Sequence, residues 1–167
     1  MWPRRAICCV TSTISLAKAT STAGGTIAVL ADDLMWASRL VAAVERTGAQ
    51  AARLSTQEQL ETVLLAASEA EAEPGRETTA AGGGQPRLLG VVVDLGGRRY
   101  DGTAAVARAV AARQRVIAVA QHDDQPTRKR ALEAGALRVF SYAKLFTDGP
   151  QVIERWLAAE GPPKRRA

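Results

Sequence analysis

The sequence predicts an α/β domain: a five-stranded parallel sheet, doubly wound, with helices on both faces. Three observations carry this. Five short strand-like runs, the second of them weak, are each followed by a helical pattern, so strand and helix alternate along the chain. The connections are short, and right-handed crossovers then restrict the sheet to an order such as 2-1-3-4-5 in three layers, αβα. The run at 88–94, Leu88-Leu89-Gly90-Val91-Val92-Val93-Asp94, is apolar until it stops on a carboxylate, and Gly and Pro bracket it. Such a run reads as a strand buried on both faces, as in a parallel sheet.

Strand one is 26–31, and Asp32-Asp33 follow it. Residues 34–48 form an amphipathic helix with Leu34, Ala37, Val41 and Val44 inward and Gly48 as its stop. Asp32 or Asp33 is placed to cap that helix. A weak strand at 49–54 precedes a capping box, Ser55 with Glu58, and a second helix that turns Leu60, Val63, Leu64 and Ala67 inward. Residues 73–86 are Gly-, Ala- and Thr-rich and read as a flexible insertion. Their glycine run lacks the Lys and Ser/Thr of a phosphate loop and precedes a strand instead of following one. After the strand at 88–94 come a helix at 103–113, a strand at 114–120 and a helix from Pro126 to the stop at Gly135. A fifth strand is expected at 136–140, a loop at 141–147 and a last helix at 148–159 with Val152, Ile153, Trp156 and Leu157 inward.

The domain therefore spans 26–160, with a disordered leader at 1–25 and a basic tail at 161–167. Ala17-Lys18-Ala19 has the shape of a secretory cleavage site, but Thr and Ser dilute the apolar stretch before it, and the leader reads as an extension. The net charge of +5 belongs to these ends: six of the 22 basic residues lie there without any acid, which leaves sixteen against all 17 acids in between. No basic excess remains on the domain to attract a nucleic acid. No apolar run approaches the roughly 20 residues that span a bilayer. The two cysteines, Cys8 and Cys9, both lie in the leader, so disulfides and thiolate metal sites are not expected in the domain, and a reducing cytoplasm suits it.

In the order 2-1-3-4-5, strands one and three are neighbours at the switch point, where doubly wound sheets bind ligands. Asp32, Asp33 and Asp94 end those two strands, so three carboxylates are expected on one small surface. Carboxylates so placed oppose one another's ionisation, and a hard cation such as Mg²⁺ relieves them. A carboxylate beside such an ion can act as a nucleophile and form an aspartyl phosphate. The plainer alternative is that one aspartate caps the first helix and Asp94 merely ends its strand.

Asp32-Asp33 after strand one, the lone Asp94 after strand three and Ala131-Leu132-Glu133-Ala134-Gly135-Ala136 before strand five together resemble the receiver domain of bacterial response regulators, a flavodoxin-like fold, over about 26–159. The resemblance implies Asp94 as acceptor of a phosphoryl group from a histidine kinase. It implies Asp32, Asp33, Asp94 and the backbone carbonyl of Gly96 as ligands to Mg²⁺. The chain departs from the pattern where receivers switch. Receivers usually end strand four on Ser or Thr, and here Ala120 stands there. They usually follow strand five with Thr/Ser-Lys-Pro, and here Ser141-Tyr142-Ala143-Lys144 puts Tyr142 in the lysine's place and Lys144 two residues late. The expectation is an atypical or pseudo-receiver: a single-domain signalling protein of two-component type and not an enzyme.

Asp94 is then a candidate phosphoacceptor with a degenerate switch. The alternative is a phosphorylation-independent interaction module, and a small hydrolase or phosphatase ranks below both. The expected partner is a histidine kinase or another signalling protein, bound through the face of the fourth helix, fifth strand and fifth helix, and a homodimer is compatible. His122 and the pair Arg98-Arg99 are read as solvated surface, and Trp36 and Trp156 as packing.

Overall fold

The computed structural model describes residues 24–72 and 87–159; the expected leader up to residue 23, the insertion and the basic tail lie outside the described residues. Five strands alternate with five helices: β1 Thr26–Leu30, α1 Leu34–Glu45, β2 Gln50–Leu54, α2 Gln57–Ala72, β3 Leu88–Asp94, α3 Gly102–Ala111, β4 Val116–Ala120, α4 Gln125–Glu133, β5 Arg138–Ser141 and α5 Tyr142–Ala158. All strands are parallel, in the order β2-β1-β3-β4-β5. The doubly wound three-layer αβα fold is as the alternation predicts.

Side chains alternate between the two faces of the sheet, as strand geometry requires. Ile27, Val29, Val92, Ile117 and Val119 face α1 and α5, where Leu40, Val44, Leu145 and Ile153 meet them. Ala28, Leu30, Val91, Val93 and Ala118 face α2, α3 and α4, where Leu60, Leu64, Val106 and Ala131 meet them. Register between β1 and β3 slips once, between Thr26 and Ile27, so Leu30 stands beside Val93. That brings the ends of β1 and β3 level. Gly90 lies in this stretch because nothing larger fits: a Cβ there would stand 2.6 Å from the Trp156 ring and 2.7 Å from the Arg115 carbonyl.

Three local expectations are corrected. Leu34 does not face the core; it is 65% exposed, and Leu40 and Ala43 fill the inner face with Ala37 and Val44. The cap of α2 is one residue later than Ser55-Glu58. The Gln59 amide donates to the Thr56 hydroxyl at 3.3 Å, and the Gln59 side chain accepts from the Ser55 amide at 2.7 Å. Residues 142–147 are not a loop but the first turns of α5. Ser141 caps them by accepting from the Lys144 amide at 3.3 Å. The helix kinks at Asp148 (φ −121°, ψ 22°), two residues before Pro150. Proline lacks the amide for the next bond and crowds the carbonyl four residues back, which explains the kink.

Candidate functional site

Asp94 is the last residue of β3 and is only 1% exposed. The turn after it folds back at once: the Gly96 amide donates to Asp94 Oδ1 at 2.9 Å. The second partner comes from across the sheet. The Tyr142 hydroxyl, at the start of α5, donates to the same Oδ1. A buried carboxylate needs such donors, because an unpaired charge in this place is costly. Burial pushes the Asp94 carboxyl above the usual carboxylate range; the Tyr142 and Gly96 hydrogen bonds oppose that, and the charges of Asp32 and Asp33 add to it. Burial raises the Tyr142 phenol as well, and its donation to Asp94 reinforces the shift.

The position of Tyr142 is itself built. Its ring stacks on Trp36 of α1 with centroids 4.8 Å apart, and Trp36 stacks on Phe146, one turn further along α5, at 4.9 Å with the planes 1° apart. The Arg39 guanidinium lies over both the Trp36 ring (5.6 Å) and the Phe146 ring (5.1 Å). Stacked pairs of this kind contribute about 0.5–1.5 kcal/mol beyond burial, and the cation adds to it. The ring is thus gripped from α1 while the hydroxyl reaches β3.

Asp33 is the N-cap of α1: its Oδ1 accepts from the amides of Met35 at 2.9 Å and Trp36 at 3.0 Å. Asp32 Oδ2 accepts from the amides of Arg98 at 2.7 Å and Arg99 at 3.0 Å, which pins the β3–α3 loop to the end of β1. For Asp32, partial burial works to raise the carboxyl, but the Arg98 and Arg99 amides outweigh it and hold it below the usual range. Tyr100 completes the join. Its hydroxyl lies 2.9 Å from the Asp94 carbonyl and 3.1 Å from the Leu30 carbonyl, so one proton serves the ends of both strands.

The topology therefore gathers Asp32, Asp33 and Asp94 at the carboxyl ends of β1 and β3. It does not gather them as a ready ligand set. Among the described residues no three acidic, histidine or cysteine side chains stand together as a metal-holding group. Oxygen donors suit Mg²⁺ chemically, yet each carboxylate already serves the chain's own backbone or Tyr142. As they stand, one oxygen of each carboxylate is engaged within the chain.

The other residues singled out in the sequence take different places. Ala120 is buried at the end of β4 and offers no hydroxyl. The Lys144 amine is not brought to Asp94; it pairs with Asp148 on the exposed side of α5. His122 is exposed in the loop after β4. Arg98 and Arg99 contribute to the site through their amides. Sequence reading named Tyr142 only as a residue in the wrong place, and it did not find Tyr100 or the Trp36 stack. The signal for the stack was the spacing of Tyr142 and Phe146, one helical turn apart, which reading 141–147 as a loop concealed.

No protein-family model matches the chain, and no curated protein matches it in sequence. Its fold does match solved structures. The receiver domain of a sensor histidine kinase from Pseudomonas aeruginosa, solved with a magnesium ion in its active-site cleft, superposes with TM-score 0.60 at 17% identity, covering 82% of this chain and 100% of that one. The receiver domain of an Arabidopsis thaliana histidine kinase, complexed with Mg²⁺ and BeF₃⁻, gives TM-score 0.63 at 14% identity, covering 83% of this chain and 93% of that one. The signal receiver domain of a DNA-binding response regulator from Colwellia psychrerythraea gives 0.60 at 18% identity, covering 81% and 99%.

Proposed function

We propose that this chain, which has the receiver fold, is a non-enzymatic signalling module that acts by contact with a partner protein and does not depend on phosphorylation of Asp94. The observation that carries this reading is the Tyr142 hydroxyl on Asp94 Oδ1. A nucleophilic carboxylate must present a free oxygen to an incoming phosphorus in line with the leaving group. Here one oxygen is held by Tyr142 and Gly96, and the whole residue is buried. Ala120 and Lys144 supply neither a hydroxyl nor an amine that would respond to a phosphoryl group.

One observation favours the second reading, in which Asp94 is an aspartyl phosphoacceptor with a weakened switch. Asp94 still ends β3 at the switch point of the sheet, with two other aspartates nearby. Incubation with acetyl phosphate and Mg²⁺ followed by intact-mass measurement separates the two. The expected result is no mass gain on the wild type. A phosphoryl mass gain that Asp94→Asn abolishes overturns the proposal in favour of the second reading.

The partner surface we assign is the face of α4, β5 and α5. β5 is an edge strand, Leu132 of α4 is 50% exposed, and Lys129, Arg130, Arg138 and Arg155 are exposed on these elements. An exposed apolar residue and exposed cations on these elements suit a signalling protein, such as a histidine kinase, that presents an acidic rim.

A further inference from the structure

We infer that the Tyr142 hydroxyl stands where a cation would stand at Asp94, so that Tyr142 in this position and a divalent cation on Asp94 are mutually exclusive. The inference deepens the reading above and rests on the same contact, but it concerns the ion and not the phosphoryl group.

Three observations place the hydroxyl there. It donates to the Asp94 oxygen that also accepts from Gly96. It fills the notch beside that turn: a Cβ on Gly96 would lie 2.8 Å from the hydroxyl and 3.3 Å from Asp94 Oδ1. The ring that carries it is held between α1 and α5 by Trp36, with Phe146 and Arg39 behind, so it does not swing out without breaking a stack.

The remaining aspartates fit this arrangement. Asp33 Oδ1 is shared by two amides of α1, and Asp32 Oδ2 by two amides of the β3–α3 loop. In this chain they order backbone at the end of the sheet. A donor hydroxyl answers the Asp94 charge locally, where a cation would answer all three carboxylates together.

The test is Mn²⁺ titration of the full chain, followed by the electron paramagnetic resonance signal of the free ion. Wild type is expected to bind Mn²⁺ only weakly. Tyr142→Phe keeps the ring and the stack and loses only the hydroxyl. It is expected to bind one Mn²⁺ about ten- to a hundredfold more tightly than wild type, since the ion no longer displaces a hydrogen bond to a charged group. Tyr142→Phe combined with Asp94→Asn is expected to lose that gain. Tyr142→Leu, which removes hydroxyl and ring together, gives the same result by a second route, and circular dichroism confirms the fold of each variant. Equal Mn²⁺ affinity in wild type and both Tyr142 variants overturns the inference, as does a gain that survives Asp94→Asn. Neither outcome alters the phosphoryl mass result, so the two proposals fail separately.

Discussion

At the scale of the residue, the chain keeps a carboxyl where its fold makes charge costly. Asp94 is buried, and its carboxyl is raised above the ordinary range. A raised acid stabilises the fold fully below its ordinary range, and that contribution is lost as pH climbs through the raised folded value. The Asp94 carboxyl therefore costs stability at neutral pH. Asp94→Asn keeps an oxygen for Tyr142 and Gly96 and removes the charge. It is expected to stabilise the protein by about 1 kcal/mol at neutral pH, with the advantage fading in acid, as measured by urea unfolding across pH. Asp32 has the opposite sign. Its carboxyl is lowered, so its contribution is present above the ordinary range and lost as pH falls through the lowered folded value. Acid is thus expected to loosen the Arg98–Arg99 loop while it relieves Asp94.

At the scale of the element, α5 decides the character of the site. It starts directly after β5, runs two turns that present Tyr142, Leu145 and Phe146, and kinks at Asp148 before Pro150. The second half lies close against α1, because a Cβ on Gly149 would stand 2.8 Å from Ala43 Cβ. Gly149→Ala overpacks this crossing and is expected to destabilise by about 1–3 kcal/mol. Ala43→Gly in the same chain is expected to restore part of the loss in thermal unfolding, as residues in contact couple. β1, β3 and β4 were legible in the sequence because each is a short apolar run; β2 and β5, with arginine and other polar residues in them, were legible mainly from the alternation with helices. The cap of α3 shows how local chemistry completes an element: Asp101 accepts from the amides of Thr103 and Ala104. The start of α5 was not legible, since Gly149-Pro150 resembles the beginning of a helix and 141–147 then looks like the loop before it. What fixes residues 142–147 as helix is their packing on Trp36, and that depends on α1 and α5 sharing one face of the sheet.

At the scale of the whole molecule, sheet order brings β1 and β3 together, and the carboxylates follow. That much was readable from alternation and handedness alone. How the carboxylates are used was not, because Tyr142, Trp36 and Asp94 are far apart in sequence and meet only through the topology. The same constraint joins the faces: Trp156 of α5 packs on Gly90 of β3, and Arg115 at the start of β4 donates to the Leu157 carbonyl in the last turn of α5 at 3.0 Å. α5 is thus tied to the sheet at both ends, with Tyr142 on Asp94 at one and Arg115 at the other.

The hydroxyl proton of Tyr142 tests the central claim most directly, by nuclear magnetic resonance of the folded chain at neutral pH. A hydroxyl that donates to a buried carboxylate exchanges slowly with water and resonates downfield of a solvated phenol. Expected is one such proton that disappears in Tyr142→Phe and moves upfield in Asp94→Asn. A Tyr142 hydroxyl in fast exchange, or a proton indifferent to Asp94→Asn, would contradict the claim that Tyr142 seals Asp94.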